Sequence, residues 1–447
     1  MAFASTTNWE VRTTGSDSNG GGFDVSSSGT DYSQQDTPQV TYTDLVIDAT
    51  TNTKCTSAAF PFVAADVGNI INITSGTGFS VQRVQVVSVT SNVATCDKSL
   101  GTLSSTGGHG KLGGGLLTPG TAVSVMTSQN IAWIQAGTYT ITTQMVTNAF
   151  SIFNGYQTVH GDHTGTRPLL TCSNGSNFFN MGSGGWFSYD NINFQSTGGS
   201  RGNAVYGVSV NSLAVSNCTI DGASTGVSTA GPTFVTNCEI KNCTTSGISN
   251  SNPVMVDNCY IHSCVIGIAS AVGGAMAGDI GRSIITGNTT GITVSGGGNS
   301  TFLKVHDCTV TGQSGDGITI TGGAPLFLHL VSNIIYNNGG WGVNGASSKV
   351  FMGANQNNGY GSNTSGNRSG FAAGPNDFAI TAGPFTNSGS GDYSLNATAG
   401  GGVACKLAGY PGAFPGGTST GFLDAGAVQT SGGGGGGSTG ASYVFLS

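Results

Sequence analysis

Val215-Ser216-Asn217-Cys218-Thr219-Ile220 returns as Val235-Thr236-Asn237-Cys238-Glu239-Ile240 and again as Val256-Asp257-Asn258-Cys259-Tyr260-Ile261. Outward from these three copies the pattern loosens but persists. It recurs as Tyr189-Asp190-Asn191-Ile192-Asn193-Phe194, Ile280-Gly281-Arg282-Ser283-Ile284-Ile285, Val305-His306-Asp307-Cys308-Thr309-Val310 and Val331-Ser332-Asn333-Ile334-Ile335-Tyr336. The third residues of consecutive copies, counted at Asn333 in the last, lie 26, 20, 21, 24, 25 and 26 residues apart. That period is too short for a helical pair and fits one coil of a β-solenoid.

Each copy ends a strand. Alternation points Leu213 and Val215, Val254 and Val256, and Leu303 and Val305 inward, and Ala214, Met255 and Lys304 outward. The Asn after the strand suits a sharp bend, because it tolerates the left-handed conformation and its amide can reach the Asn of the next coil. The following residue turns inward, which predicts a stacked file of Cys218, Cys238, Cys259 and Cys308, with Ile192, Ser283 and Ile334 in the same slot elsewhere. A second file is read at Gly207-Val208, Gly226-Val227, Gly247-Ile248, Gly267-Ile268, Gly291-Ile292, Gly317-Ile318 and Gly342-Val343. Extra length falls around Ala269 to Asp279, Val294 to Thr301 and Ile320 to Phe327, predicting loops on one side.

Composition agrees. With 76 Gly in 447 residues and 7% charged residues, the chain suits short strands and tight turns rather than helices. Its 37% hydrophobic residues fall at the periodic positions, so the fold class is all-β, a parallel β-helix solenoid with an N-terminal β cap and a flexible Gly-rich C-terminal tail. Four stretches follow: a cap or attachment region at 1–129, the β-helix at 130–345, irregular final coils and a C-terminal cap at 346–430, and a linker with an apolar docking tail at 431–447. Tyr443, Val444, Phe445 and Leu446 in that tail are candidates for edge pairing, either on a partner or back on the same chain.

The net charge of −7 without a Lys/Arg cluster argues against nucleic-acid binding. No run is long enough to span a membrane, and no secretory signal is read in Met1-Ala2-Phe3-Ala4-Ser5. The Cys file is a place for buried free thiols, although stacked Cys218, Cys238 and Cys259 also come near bridging distance.

The outward residues beside the Gly-Val/Ile file are Ser209, Ser228, Ser249, Ala269, Thr293, Thr319 and Asn344. Glycoside hydrolysis needs two carboxyl groups about one bond, and this face supplies none. The best acid–base cluster combines Asp257, Asp279, Arg282, His306 and Asp307 near one bend, read as an ion-pair ladder ahead of a catalytic set. His160-Gly161-Asp162-His163 has a metal-like spacing but reads first as a turn, and His329 reads as an inward or loop histidine. Asp17, Asn19 and Asp24 could offer oxygen ligands to calcium or stabilise a turn. Trp341, Tyr336 and Tyr260 could stack on sugar rings if they face outward. No cofactor motif is present, neither a phosphate loop ending in Lys-Ser/Thr nor a nucleophile elbow.

The repeat resembles the right-handed parallel β-helix of the pectate-lyase-like superfamily over residues 130 to 430 or so. More specific are Trp9-Glu10-Val11-Arg12-Thr13-Thr14-Gly15-Ser16-Asp17-Ser18-Asn19-Gly20-Gly21-Gly22-Phe23-Asp24 with Gly29-Thr30-Asp31-Tyr32-Ser33-Gln34-Gln35-Asp36, Gly155-Tyr156-Gln157 with Gly165-Thr166-Arg167-Pro168, and Asp424-Ala425-Gly426-Ala427-Val428-Gln429. Together these resemble β-helix virion proteins of tailed bacteriophages: spikes, fibres or head decorations. The resemblance implies a homotrimer on the particle, assembled with other virion proteins in the host cytoplasm. It carries no catalytic residues across. The expected function is therefore structural and non-enzymatic, with a glycan-binding or polysaccharide-depolymerising tailspike as the alternative.

Overall fold

The computed structural model describes residues 3–429 apart from 148–149, 183, 200, 209, 273–276, 297–300, 322–325, 346–349, 410 and 413–420. Ser209, the tips of the three long loops, the Gly linker and the tail residues Tyr443, Val444, Phe445 and Leu446 lie outside that set. The chain is all-β and built on a parallel β-helix. It divides into two compact units, Met1–Ser173 with Phe178–Asn193 and Asn174–Asn177 with Phe194–Ser447.

In the second unit each coil contributes one strand to each of three parallel sheets. The first sheet runs through Ser212–Ser216, Thr233–Thr236, Val254–Asp257, Ala277–Gly281, Thr301–His306, Leu326–Val331 and Val350–Gln356. Leu213, Val215, Val254, Val256, Leu303 and Val305 are fully or almost fully buried, whereas Met255 and Lys304 are exposed. Each such buried aliphatic contributes roughly 1.5–3 kcal/mol.

Two left-handed bends per coil link the sheets. At the first, Asn217, Asn237, Asn258, Arg282 and Asp307 all have φ between 48° and 54°. The Asn side chains stack as expected: Asn258 Nδ2 donates to Asn237 Oδ1 at 2.7 Å, and Asn237 Nδ2 to Asn217 Oδ1 at 3.3 Å. The Cys file behind them is interior, and among the described residues all ten cysteines are free. Cys218, Cys238, Cys259 and Cys308 each donate a thiol to the carbonyl two residues back, at 3.1–3.3 Å, and Ser283 does the same with its hydroxyl.

The sequence reading missed the second bend. Asn242, Ser263, Gly287, Gly312, Asn337 and Ser362 have φ of 54–67°, and the next residue again turns inward. Its slot holds Cys243 and Cys264, then switches to amides at Asn288, Gln313, Asn338 and Asn363. Each amide oxygen accepts a backbone N–H from the preceding coil, at 2.9–3.2 Å, so the buried polar groups are paired. At the third corner the Gly file allows close coil approach: a Cβ added to Gly247 would stand 2.7 Å from the Gly267 carbonyl oxygen.

Two registers differ from the sequence reading. Val205, not Val208, pairs with Val227; Val205 is buried and Val208 is 63% exposed. In a later coil the bend is Ser332, with φ 59°, and Asn333 rather than Ile334 occupies the interior slot. Asn333 there accepts from Cys308 N at 3.0 Å and donates to Val305 O at 2.8 Å. A one-residue slip exchanges the two faces of a strand. Leu328 and Leu330 therefore fill the core, and His329 faces outward.

Residues past the last coils fold back along the outer side of the second sheet. Tyr393 donates its hydroxyl to Thr286 Oγ1 at 3.1 Å, Ala427 N to Thr309 Oγ1 at 3.1 Å, and Gly426 N to Ser332 O at 2.7 Å. Ile380, Leu395, Cys405 and Ala425 pack there on Ile334, and Tyr393 and Ala427 on Ile284.

In the first unit, residues 40–112 form a closed six-stranded barrel around Leu45, Ile71, Ile73, Val84, Val86 and Leu112. Thr7–Val11, which the sequence reading grouped with the cap, pairs in parallel with Ile131–Gln135 and so joins the coiled sheet. Ser151–Tyr156 and Trp186–Asp190 follow in the same sheet.

Candidate functional site

The first sheet of the second unit carries the acid–base cluster. Arg282 sits at a bend and grips Asp257 of the preceding coil with two guanidinium nitrogens, Nε at 2.8 Å from Oδ1 and Nη2 on Oδ2. His306 closes the Thr301–His306 strand, with Nε2 3.0 Å from Asp279 Oδ1 and Nδ1 2.8 Å from Asp307 Oδ2. Gly281 makes room for the ring, since a Cβ there would stand 2.5 Å from His306 Nε2.

Burial disfavours the imidazolium, but Asp279 and Asp307 together push His306 up to about 9. Burial also opposes ionisation of Asp279, and His306 overcomes it, leaving that carboxyl below its ordinary value. A histidine held charged between two carboxylates has no free nitrogen with which to take a proton near neutrality. Asp257, Asp279, Arg282, His306 and Asp307 thus lie on neighbouring coils, and their geometry is that of a ladder of ion pairs.

Beside this ladder lies an outward row that the misread register had hidden. Met255, Asp279, Lys304 and His329 follow one another in register over four coils. Two residues back along the strands, Phe302 and Phe327 are also in register, with ring centroids 4.7 Å apart and planes 13° from parallel. Phe302 is 44% exposed.

The aromatic candidates are placed differently. Tyr260 stacks on His262 at 4.3 Å and meets Tyr393 edge-on, and Tyr336 meets Phe385. Both are half-buried beneath the returning C-terminal segment. Trp341 is half-buried with its ring over Gly366, whose added Cβ would meet the ring at 2.6 Å. On the third sheet Ser228, Ser249, Ala269, Thr293, Thr319 and Asn344 line up as expected. That face does receive one carboxylate from a neighbouring turn: Asp316 accepts from Thr319 Oγ1, Asn344 Nδ2 and Trp341 N.

In the first unit a buried polar cluster joins residues far apart in sequence. Glu10, 1% exposed, accepts from the Tyr156 hydroxyl and lies 2.9 Å from His160 Nε2 and 3.4 Å from Arg12 Nη1. Arg12 Nε also donates to Asp36 Oδ1 at 2.8 Å, and His160 stacks on Trp133 at 4.3 Å. Burial raises the Glu10 carboxyl above its ordinary value, against the lowering pull of His160 and Tyr156. The positions of these residues in the sequence give no sign of this meeting, although Glu10 and Arg12 alternate with buried Trp9 and Val11.

His160, Asp162 and His163 do not share a ligand shell. Asp162 caps the backbone of Gln157, Thr158 and Val159, while His163 lies 3.1 Å from Asp190. Asp17, Asn19 and Asp24 likewise serve separate partners. Asp17 accepts from Leu117 N and Thr118 N, Asn19 donates to Asp36 O and Gly115 O, and Asp24 accepts from Thr6, Ser26 and Gln85. Among the described residues no group of three or more His, Cys, Asp or Glu is placed to hold a metal ion. No helix among them is long and apolar enough to cross a membrane.

No protein-family model matches the chain, and no curated protein matches it by sequence. Among solved structures, the A-module of the mannuronan C-5 epimerase AlgE4 from Azotobacter vinelandii is similar at a TM-score of 0.32 and 10% identity. The match covers 57% of this chain and 89% of that one.

Proposed function

We propose that this chain is a non-enzymatic structural protein of a bacteriophage particle, exposed on the virion as a spike, fibre or head decoration. It would act as a homotrimer among other virion proteins, having assembled in the host cytoplasm. The observation that carries the reading is what the residues behind the phage resemblance do. Glu10, Arg12, Asp36 and Tyr156 bond to one another. Gln157 accepts from Thr166 N, and Gln429 closes a turn on Asp424 and Gly426. Each is spent on architecture. The acid–base groups around His306 are similarly paired with one another.

The reading is tested by raising antibodies to the purified chain and probing intact particles from a host culture expressing its genomic neighbourhood. Labelled particles, with the chain in their peptide mass spectrum, are expected; particles that assemble fully without it would overturn the reading.

A second reading, contact with host-surface glycan, is favoured by the stack of exposed Phe302 on half-buried Phe327 beside Lys304 and His329.

A further inference from the structure

We propose that Cys243 and Cys264 form a binding site for a two-coordinate soft cation, copper(I), held between the sulfurs of adjacent coils. Register, spacing and access point to this pair.

The pair comes from the second bend. Lys241 and His262 are in register, and Asn242 N donates to His262 O at 3.3 Å, so Cys243 and Cys264 are equivalent residues one coil apart. Each follows a left-handed residue, Asn242 or Ser263, and turns inward. Their thiols face one another, and each also donates to the carbonyl two residues back, Cys243 to Lys241 O at 3.6 Å and Cys264 to His262 O at 3.3 Å. The column of sulfur ends there. Ala223 precedes it in the same slot, and Asn288 follows, accepting from Cys264 N at 2.9 Å and donating to Ile261 O at 3.3 Å.

Spacing decides what such a pair can hold. Residues in register on stacked coils repeat at about 4.8 Å. A disulfide needs Cβ atoms about 3.8 Å apart, so joining the sulfurs directly would pull the two coils together. A cation in line between two thiolates needs roughly 4.6 Å, twice a metal–thiolate bond of about 2.3 Å. Thiolates select copper(I), which takes two of them, whereas zinc requires four ligands. Among the described residues the pair has no third His, Cys, Asp or Glu ligand. Nearby His262 is engaged on the outer face, 3.2 Å from Glu239 Oε1 and 3.1 Å from Ser263 Oγ.

Access separates this pair from the other sulfur file. Cys218, Cys238 and Cys259 are sealed at 0–1% exposure. Cys243 and Cys264 line a groove of about 500 Å³ in the wall, together with Asn242, Thr244, Ser263 and Thr289. At 2% and 4% exposure their sulfurs are open to an ion and closed to a bulky organic reagent.

Binding exchanges protons for metal. Each thiol releases its proton to solvent, two for each copper(I), and no electron is transferred. Two thiolates about one such cation keep a single negative charge. Backbone N–H groups offset it, that of Gly226 at the Cys243 sulfur and that of Cys243 at the Cys264 sulfur.

The test is competition for copper(I) between the full chain and a chromogenic chelator, under anaerobic conditions. The chain is expected to withdraw one copper(I) per molecule and to release two protons, and excess zinc(II) should not displace the metal. X-ray absorption at the copper edge should show two sulfur neighbours. Cys243→Ser and Cys264→Ser should each weaken binding by about a hundredfold or more, while Cys238→Ser and Cys96→Ser leave it unchanged. Serine suits such a slot, since Ser283 at the first bend donates its hydroxyl to Gly281 O at 2.7 Å, so circular dichroism should report an intact fold. No copper withdrawn by the native chain, displacement by zinc, or three or more sulfur neighbours would overturn the proposal. So would binding that survives in the Cys243 and Cys264 variants or is lost in Cys238→Ser or Cys96→Ser.

Discussion

His329 stands in register with Lys304 on the outward face of the β-helix, with Leu328 and Leu330 buried on either side of it. This relation follows from the bend lying at Ser332. It also sets the first prediction. Ser332→Gly should change stability by less than about 1 kcal/mol, because glycine accepts a φ of 59° without strain. Asn333→Ala should cost roughly 2–4 kcal/mol, since it strands the Cys308 N–H and the Val305 carbonyl in the core. Urea unfolding checks the order; the reverse order would place the bend at Asn333.

The same region marks how far the sequence was legible. The period, the inward aliphatics and the Asn217–Asn237–Asn258 stack could be read because each is a strong local pattern. Asn333 misled because Asn is the commoner bend residue, while at this coil it serves as a buried amide. The spacing held the correction: Ser332 lies 25 residues after Asp307 and 25 before Asn357, both of which are bends. Tyr260 and Tyr336 could not be placed, since what covers them arrives from residues 380–428 and no periodicity announces that return. The Glu10 cluster was equally hidden, because Tyr156 lies 146 residues away.

Stability should depend on pH through His306. Its folded value, about 9, lies above the ordinary 6.5, so the imidazolium contributes fully below about pH 6.5 and the contribution is lost as pH rises through 9. The Tm of the native chain should fall between pH 7 and pH 9.5 by several degrees more than that of His306→Gln. Parallel pH profiles for the two proteins would show that His306 is not held between Asp279 and Asp307.

Gly281→Ala should destabilise the chain by about 1–3 kcal/mol, because the new methyl group would meet the His306 ring at 2.5 Å and push it from Asp279. Thermal unfolding measures this. Combining it with His306→Ala should recover part of the loss; strictly additive losses would mean the ring is not what the methyl group strikes.

The cysteines should be silent in the native state. All ten are buried, and burial pushes Cys238 and Cys308 well above the ordinary thiol value. A chromogenic disulfide reagent should label fewer than one thiol per chain in buffer and ten in guanidinium. Rapid labelling of several thiols before unfolding would contradict the interior files.

The proposed structural role requires that the walls of this solenoid do not cleave polysaccharide. Its most direct test is size-exclusion chromatography of host-surface polysaccharide after prolonged incubation with the full chain. The account predicts an unchanged distribution of chain lengths; shortening that disappears in Asp257→Asn or Asp307→Asn would contradict it.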